Sequence, residues 1–140
     1  QIIMDHYENP RNHELVEDDS YKKVNMDSET CIDNIDIQAK IENGVIEDIR
    51  FDGEACAICT SSTSIMTELL IGKTIDEARV IIENYMNMIF EKDYDPEILE
   101  EAIAFYNTHK QANRIKCATL GWKGITQLID EREKEETHGK

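Results

Sequence analysis

Ile35-Asp36-Ile37-Gln38-Ala39-Lys40-Ile41-Glu42-Asn43-Gly44-Val45-Ile46-Glu47-Asp48-Ile49-Arg50-Phe51 is the stretch that decides the fold. Ile35, Ile37, Ala39 and Ile41 alternate with polar residues, the period of a strand with one buried face. Asn43-Gly44 supplies the two central residues of a tight hairpin turn, both tolerant of positive φ. Val45, Ile49 and Phe51 resume the period of two, with Glu47 interrupting it. A shorter strand around Tyr21 to Met26 is expected to pair with this hairpin. Upstream, the chain reads as polar and acidic to about Ser20, with Asn9-Pro10-Arg11-Asn12 as a turn.

Beyond Gly53 the pattern becomes helical. Thr60, Ser61 and Ser62 offer N-caps for a helix burying Ile65, Leu69 and Leu70, with Gly72 past its end. Thr74-Ile75-Asp76-Glu77 is a capping box, and Ile75, Ala78, Ile82, Tyr85 and Ile89 make one helical stripe. Asp95-Pro96 opens a third helix, expected to bury Leu99, Ala102, Ile103 and Tyr106. A last helix from about Cys117 carries Ala118, Trp122, Ile125 and Ile129, and the charged tail after Ile129 reads as a fraying end. Strands first and helices afterwards specify an α+β domain, a small antiparallel sheet of about three strands with helices packed on one face. With no repeat or low-complexity linker, residues 1–140 read as one domain.

Fifteen basic against thirty acidic residues give a net charge of −15. Nucleic-acid backbones and anionic membrane surfaces both need clustered Lys and Arg, so neither is an expected partner. No apolar run approaches the roughly 20 residues of a membrane span, and no export signal is visible, so a cytoplasmic location with reduced thiols is expected. The chain opens at Gln1 rather than Met, so a few upstream residues are expected to be missing from it.

Reduced thiols make the four cysteines the centre of interest. Cys31 and Asp33 precede the first long strand and, two apart, can point the same way. Cys56 falls between the hairpin and the first core helix. Cys117 falls at the expected start of the last helix, where backbone N–H groups favour a thiolate. Arg114 and Lys116 stand just before it and would offset negative charge. Three thiolates and one carboxylate suit Zn²⁺ in mixed sulfur and oxygen ligation, with the carboxylate as the exchangeable member. That points to a reactive centre rather than a sealed structural knot.

Other residues have plainer readings. Cys59 near a helix start reads as core packing, although Cys56-Ala57-Ile58-Cys59 formally makes a C-x-x-C redox motif, which would expect a parallel βαβ frame. His6, His13, His109 and His138 lie in polar segments and read as solvated. Met66, Met86, Met88 and Trp122 read as core or edge residues. No Gly-rich phosphate loop occurs.

Taken together, these segments resemble the U-type iron–sulfur assembly proteins, the IscU, SufU and NifU N-terminal family. Met4-Asp5-His6-Tyr7-Glu8-Asn9-Pro10-Arg11-Asn12 is similar to that family's N-terminal signature. Thr30-Cys31-Ile32-Asp33 is similar to its T-C-G-D segment, and Gly53-Glu54-Ala55-Cys56-Ala57-Ile58 to its G-x-G-C-x-I segment. Arg114-Ile115-Lys116-Cys117-Ala118-Thr119-Leu120-Gly121-Trp122 resembles the third cysteine segment of the SufU type. The long separation of Cys56 from Cys117, and Lys116 where the IscU type carries His, favour SufU over IscU. Ile32 and Ala55 stand where the family has glycine, and Cys59 where it has serine.

The resemblance implies Cys31, Asp33, Cys56 and Cys117 as zinc ligands. It further implies Cys31 as the acceptor of persulfide sulfur from a SufS-type cysteine desulfurase, supported by Arg114, with downstream cluster assembly machinery as recipient. The alternative it carries is a scaffold binding Fe or a [2Fe–2S] cluster through the same ligands. A metal-stabilised interaction module and a C-x-x-C oxidoreductase remain as readings from other classes.

Overall fold

The computed structural model describes residues 1–28 and 32–138, the side chains of the last three excepted. Three strands, β1 (Lys22–Asp27), β2 (Asn34–Glu42) and β3 (Val45–Glu54), form one antiparallel sheet in the order β1-β2-β3. The α-helices are α1 (Ile2–Glu8), α2 (Ala57–Leu70), α3 (Ile75–Ile89) and α4 (Ala112–His138), with 3-10 turns over Pro96–Phe105 and Thr108–Lys110. The α+β architecture expected from the sequence is present.

The hairpin turns at Asn43 and Gly44, both at positive φ. The interruption at Glu47 is a β-bulge. Lys40 pairs with Asp48 and Ile41 with Ile46, so Glu47 is the extra residue and faces solvent. One inserted residue reverses the alternation, which is why Ile46 and Ile49 are both fully buried and Val45 only partly so. The second face of β2 is covered as well: Gln38 is buried and exchanges two hydrogen bonds of 2.9 Å with the backbone of Val16.

Helix α4 crosses the inner face of the sheet at Gly124, where a Cβ would stand 2.5 Å from Ile37 Cδ1. It meets α2 just as closely at Gly121, against Thr63. Between α2, α3 and α4 lies a buried polar node. The rings of Tyr85 and Trp122 stack with centroids 3.9 Å apart. Trp122 Nε1 donates to Ser62 Oγ (3.1 Å), while the hydroxyls of Ser62 (2.6 Å) and Tyr85 (2.7 Å) both donate to the Ala118 carbonyl.

Several expectations are corrected. The N-terminal stretch is not irregular throughout: α1 packs on α2, and His6 is fully buried rather than solvated. Its signature segment is received by hydroxyls of α2. Ser64 Oγ accepts the Arg11 N–H and bonds His6 Nδ1, each at 2.8 Å, and Thr67 Oγ1 accepts from Asn12 Nδ2 at 3.0 Å. Thr60, Ser61 and Ser62 are therefore not caps. Helix α2 begins earlier, and these residues lie buried inside it, where Ser61 Oγ bonds the Ala57 carbonyl.

The capping box at Thr74 and the stripe of α3 are present, Ile81 and Met88 widening the stripe. The segment after Asp95 is 3-10 rather than α, interrupted at Glu100 (φ 47°, ψ −123°). A period of three explains its core, Leu99, Ala102 and Phe105, with Tyr106 exposed instead of buried. Helix α4 starts at Ala112, a turn and a half before Cys117, and remains helical past Ile129 to His138. His138's side chain lies outside the described residues.

Candidate metal centre

Asp33, Cys56 and Cys117 converge, each offering a ligand atom within 4.8 Å of the other two. Asp33 comes from the residue before β2 and is fully buried. Its position is fixed by the pairing of Asn34 with Glu54 and of Ile35 with Gly53. Gly53 has φ +133°, and a Cβ there would lie 2.3 Å from the Asn34 carbonyl oxygen. Only glycine permits that approach. Gly53→Ala is expected to cost about 2 kcal/mol in a denaturant titration and to weaken metal binding, because the strand end that carries Asp33 must shift.

Cys56 is the N-cap of α2: its sulfur accepts the Cys59 N–H at 3.4 Å. Its own N–H donates to Asp33 Oδ1 at 2.8 Å, and its Sγ lies 3.8 Å from Asp33 Oδ2. The open end of the helix thus holds the thiol and carboxylate together where its dipole favours negative charge. Cysteine is not among the usual caps, so the sequence offers little signal for this role.

Cys117 arrives from the second turn of α4, not from its N-terminus as expected. The helix-end argument therefore does not apply to it, and its Sγ contacts the Asn113 carbonyl at 3.8 Å. Burial, followed by the adjacent Asp33 and Cys56, pushes its thiol well above the ordinary cysteine range. A bound cation would reverse that preference for the Cys117 thiol. Tetrahedral zinc at the usual bond lengths sets sulfur and oxygen ligands about 3.6 Å apart, close to the 3.8 Å between Cys56 Sγ and Asp33 Oδ2. Cys56 is partly exposed, so the centre is reachable from outside.

Cys31 lies outside the described residues. Arg114 and Lys116 are exposed on the first turns of α4, Arg114 one turn before Cys117 on the same side. Cys59 is fully buried in the core, as expected. Cys56, Cys59 and Cys117 are thiols rather than disulfide partners, and the antiparallel hairpin before them is not the parallel frame of a thioredoxin-like enzyme. Ala55, standing where the resemblance has glycine, is not among the residues with positive φ, so alanine is accommodated there.

Residues 1–137 match the profile of the NifU-like N terminal domain. The chain belongs to that family. It is 38% identical over 134 residues to the zinc-dependent sulfurtransferase SufU of Bacillus subtilis, covering 95% of this chain and 90% of the relative. It is 33% identical over 129 residues to the iron–sulfur cluster assembly scaffold protein IscU of Streptococcus pyogenes serotype M1, covering 91% and 80%. The crystal structure of the SUF-system protein FiSufU from Fervidobacterium islandicum AW-1 superposes with a TM-score of 0.84 at 30% identity, covering 92% of this chain and 94% of that one. No helix among this family member's described residues is long and apolar enough to cross a membrane.

Proposed function

We propose that this chain is a zinc-holding sulfur carrier in iron–sulfur cluster biogenesis, working with a SufS-type cysteine desulfurase in the cytoplasm and passing sulfur to the downstream cluster assembly machinery. The observation that carries the reading is the meeting of the Asp33, Cys56 and Cys117 ligand atoms within 4.8 Å of one another. Cys31, Asp33, Cys56 and Cys117 are the four ligands. Bound zinc supplies charge that keeps thiols deprotonated at neutral pH.

The Cys31 thiolate attacks the terminal sulfur of the desulfurase persulfide. Its new S–S bond forms as the old one breaks, and the desulfurase cysteine leaves as a thiolate. No oxidant or reductant is consumed. Asp33, held by the Cys56 N–H, keeps Cys56 oriented during the exchange, and Arg114 faces the incoming anionic sulfur. The likeness to scaffold IscU supports a second reading, in which the same ligands hold iron or a [2Fe–2S] cluster.

Cobalt substitution tests the centre: mixed thiolate and carboxylate ligation is expected, and an all-sulfur signature or no specific metal overturns it. Adding the chain is expected to raise desulfurase turnover, and Cys31→Ala to remove the increase. An equal loss in the exposed control Glu131→Ala would overturn the assignment of Cys31. A stable visible cluster after anaerobic reconstitution would favour the scaffold.

A further inference from the structure

His6, Glu68 and Glu101 meet near the C-terminal end of α2, whose other end Cys56 caps, at the edge of a cavity of about 220 Å³ that Ile65, Leu69 and Glu100 complete. Three elements deliver them: α1, α2 and the 3-10 segment kinked at Glu100. His6 is fully buried, and its Nδ1 is committed to Ser64 Oγ at 2.8 Å. Its Nε2 is aimed at the two carboxylates, yet has no hydrogen-bond partner among the described residues. The separations are 3.5 Å to Glu101 Oε1 and 3.8 Å to Glu68 Oε1.

Those distances are too long for an N–H···O hydrogen bond. They are close to the edge of a tetrahedron of nitrogen and oxygen ligands around a small divalent ion, about 3.3–3.6 Å. A buried imidazole nitrogen left unpaired is costly, whereas one oriented through its other nitrogen is the usual metal ligand. The carboxylates are each about half exposed, at 47% and 52%, so an ion could enter from solvent. Arg11 lies 3.6 Å from Glu68 Oε1 and is drawn away by Asp5 at 2.7 Å, so it offsets one carboxylate at most.

We propose that His6, Glu68 and Glu101 form a second divalent-cation site, independent of the thiol centre and of a borderline N/O character suited to first-row transition ions. Water completes its coordination from the cavity, which makes the ion exchangeable. Binding would fasten α1 and the kinked segment onto α2.

The test uses the full chain carrying Cys31→Ser, Cys56→Ser and Cys117→Ser, titrated with Co²⁺. One equivalent is expected to bind with weak ligand-field bands and no sulfur-to-cobalt charge transfer. Adding Glu68→Gln and Glu101→Gln is expected to weaken that binding at least about tenfold. Absence of binding, or binding indifferent to both glutamines, overturns the proposal. Should the serine variant not fold, the ring nitrogen signals of His6 are followed by NMR in the zinc-loaded natural chain. A shift of Nε2 on the second equivalent of Zn²⁺ supports the site, and an unmoved signal refutes it. Either readout is separate from sulfur transfer, so failure of one site leaves the other standing.

Discussion

Cys117→Ser is expected to abolish tight zinc binding at the thiol centre and return desulfurase turnover to the level of the desulfurase alone. The substitution nearly conserves volume in the second turn of α4, where Cys117 is 7% exposed, so the fold has no reason to change. A serine hydroxyl keeps its proton where a coordinating metal would displace a thiol's into solvent. Affinity is therefore expected to fall by at least about a hundredfold, beyond what losing a supporting hydrogen bond costs. Metal content and turnover measured on one preparation, with circular dichroism as the fold control, decide the matter. Full stimulation by the variant would remove Cys117 from the centre.

Trp122→Ala is expected to have the largest effect on stability. The ring is fully buried, stacks on Tyr85 and donates to Ser62. Truncation leaves a cavity and costs about 3–5 kcal/mol, a large share of the roughly 5–15 kcal/mol that holds a domain folded. The melting temperature is expected to drop on the order of 10 °C. Trp122→Phe keeps an aromatic ring for Tyr85 but removes the N–H, and is expected to lose only about 1 kcal/mol. Equal losses in the two variants would mean that the indole hydrogen bond, not the ring, carries the node.

What the sequence displayed was periodicity. The hairpin, the α3 stripe and the capping box at Thr74 announced themselves because their side-chain repeats and turn chemistry are local. Glu47 broke the alternation visibly, but only pairing with β2 shows it as a bulge. Helix α1 was hidden because its stability comes from tertiary contact: seven residues do not make a helix alone, and this one is held by Ser64. The same cause misplaced the start of α2, whose buried serines and threonines look like caps until the N-terminal segment is seen lying on them. At the candidate centre, the convergence of Asp33, Cys56 and Cys117 was legible from thiols and charges at element boundaries. How Cys117 is held was not, since its helix begins five residues before it.

The buried node has one further consequence. The Ala118 carbonyl, next to Cys117, takes hydroxyl protons from two other helices, while Cys56 and Asp33 are tied to each other at the mouth of α2. Packing and hydrogen bonds thus hold these donors in place. Chelation is therefore expected to leave the circular dichroism of the chain unchanged while abolishing sulfur transfer, and unfolding on chelation would mean that the thiol centre holds the fold together.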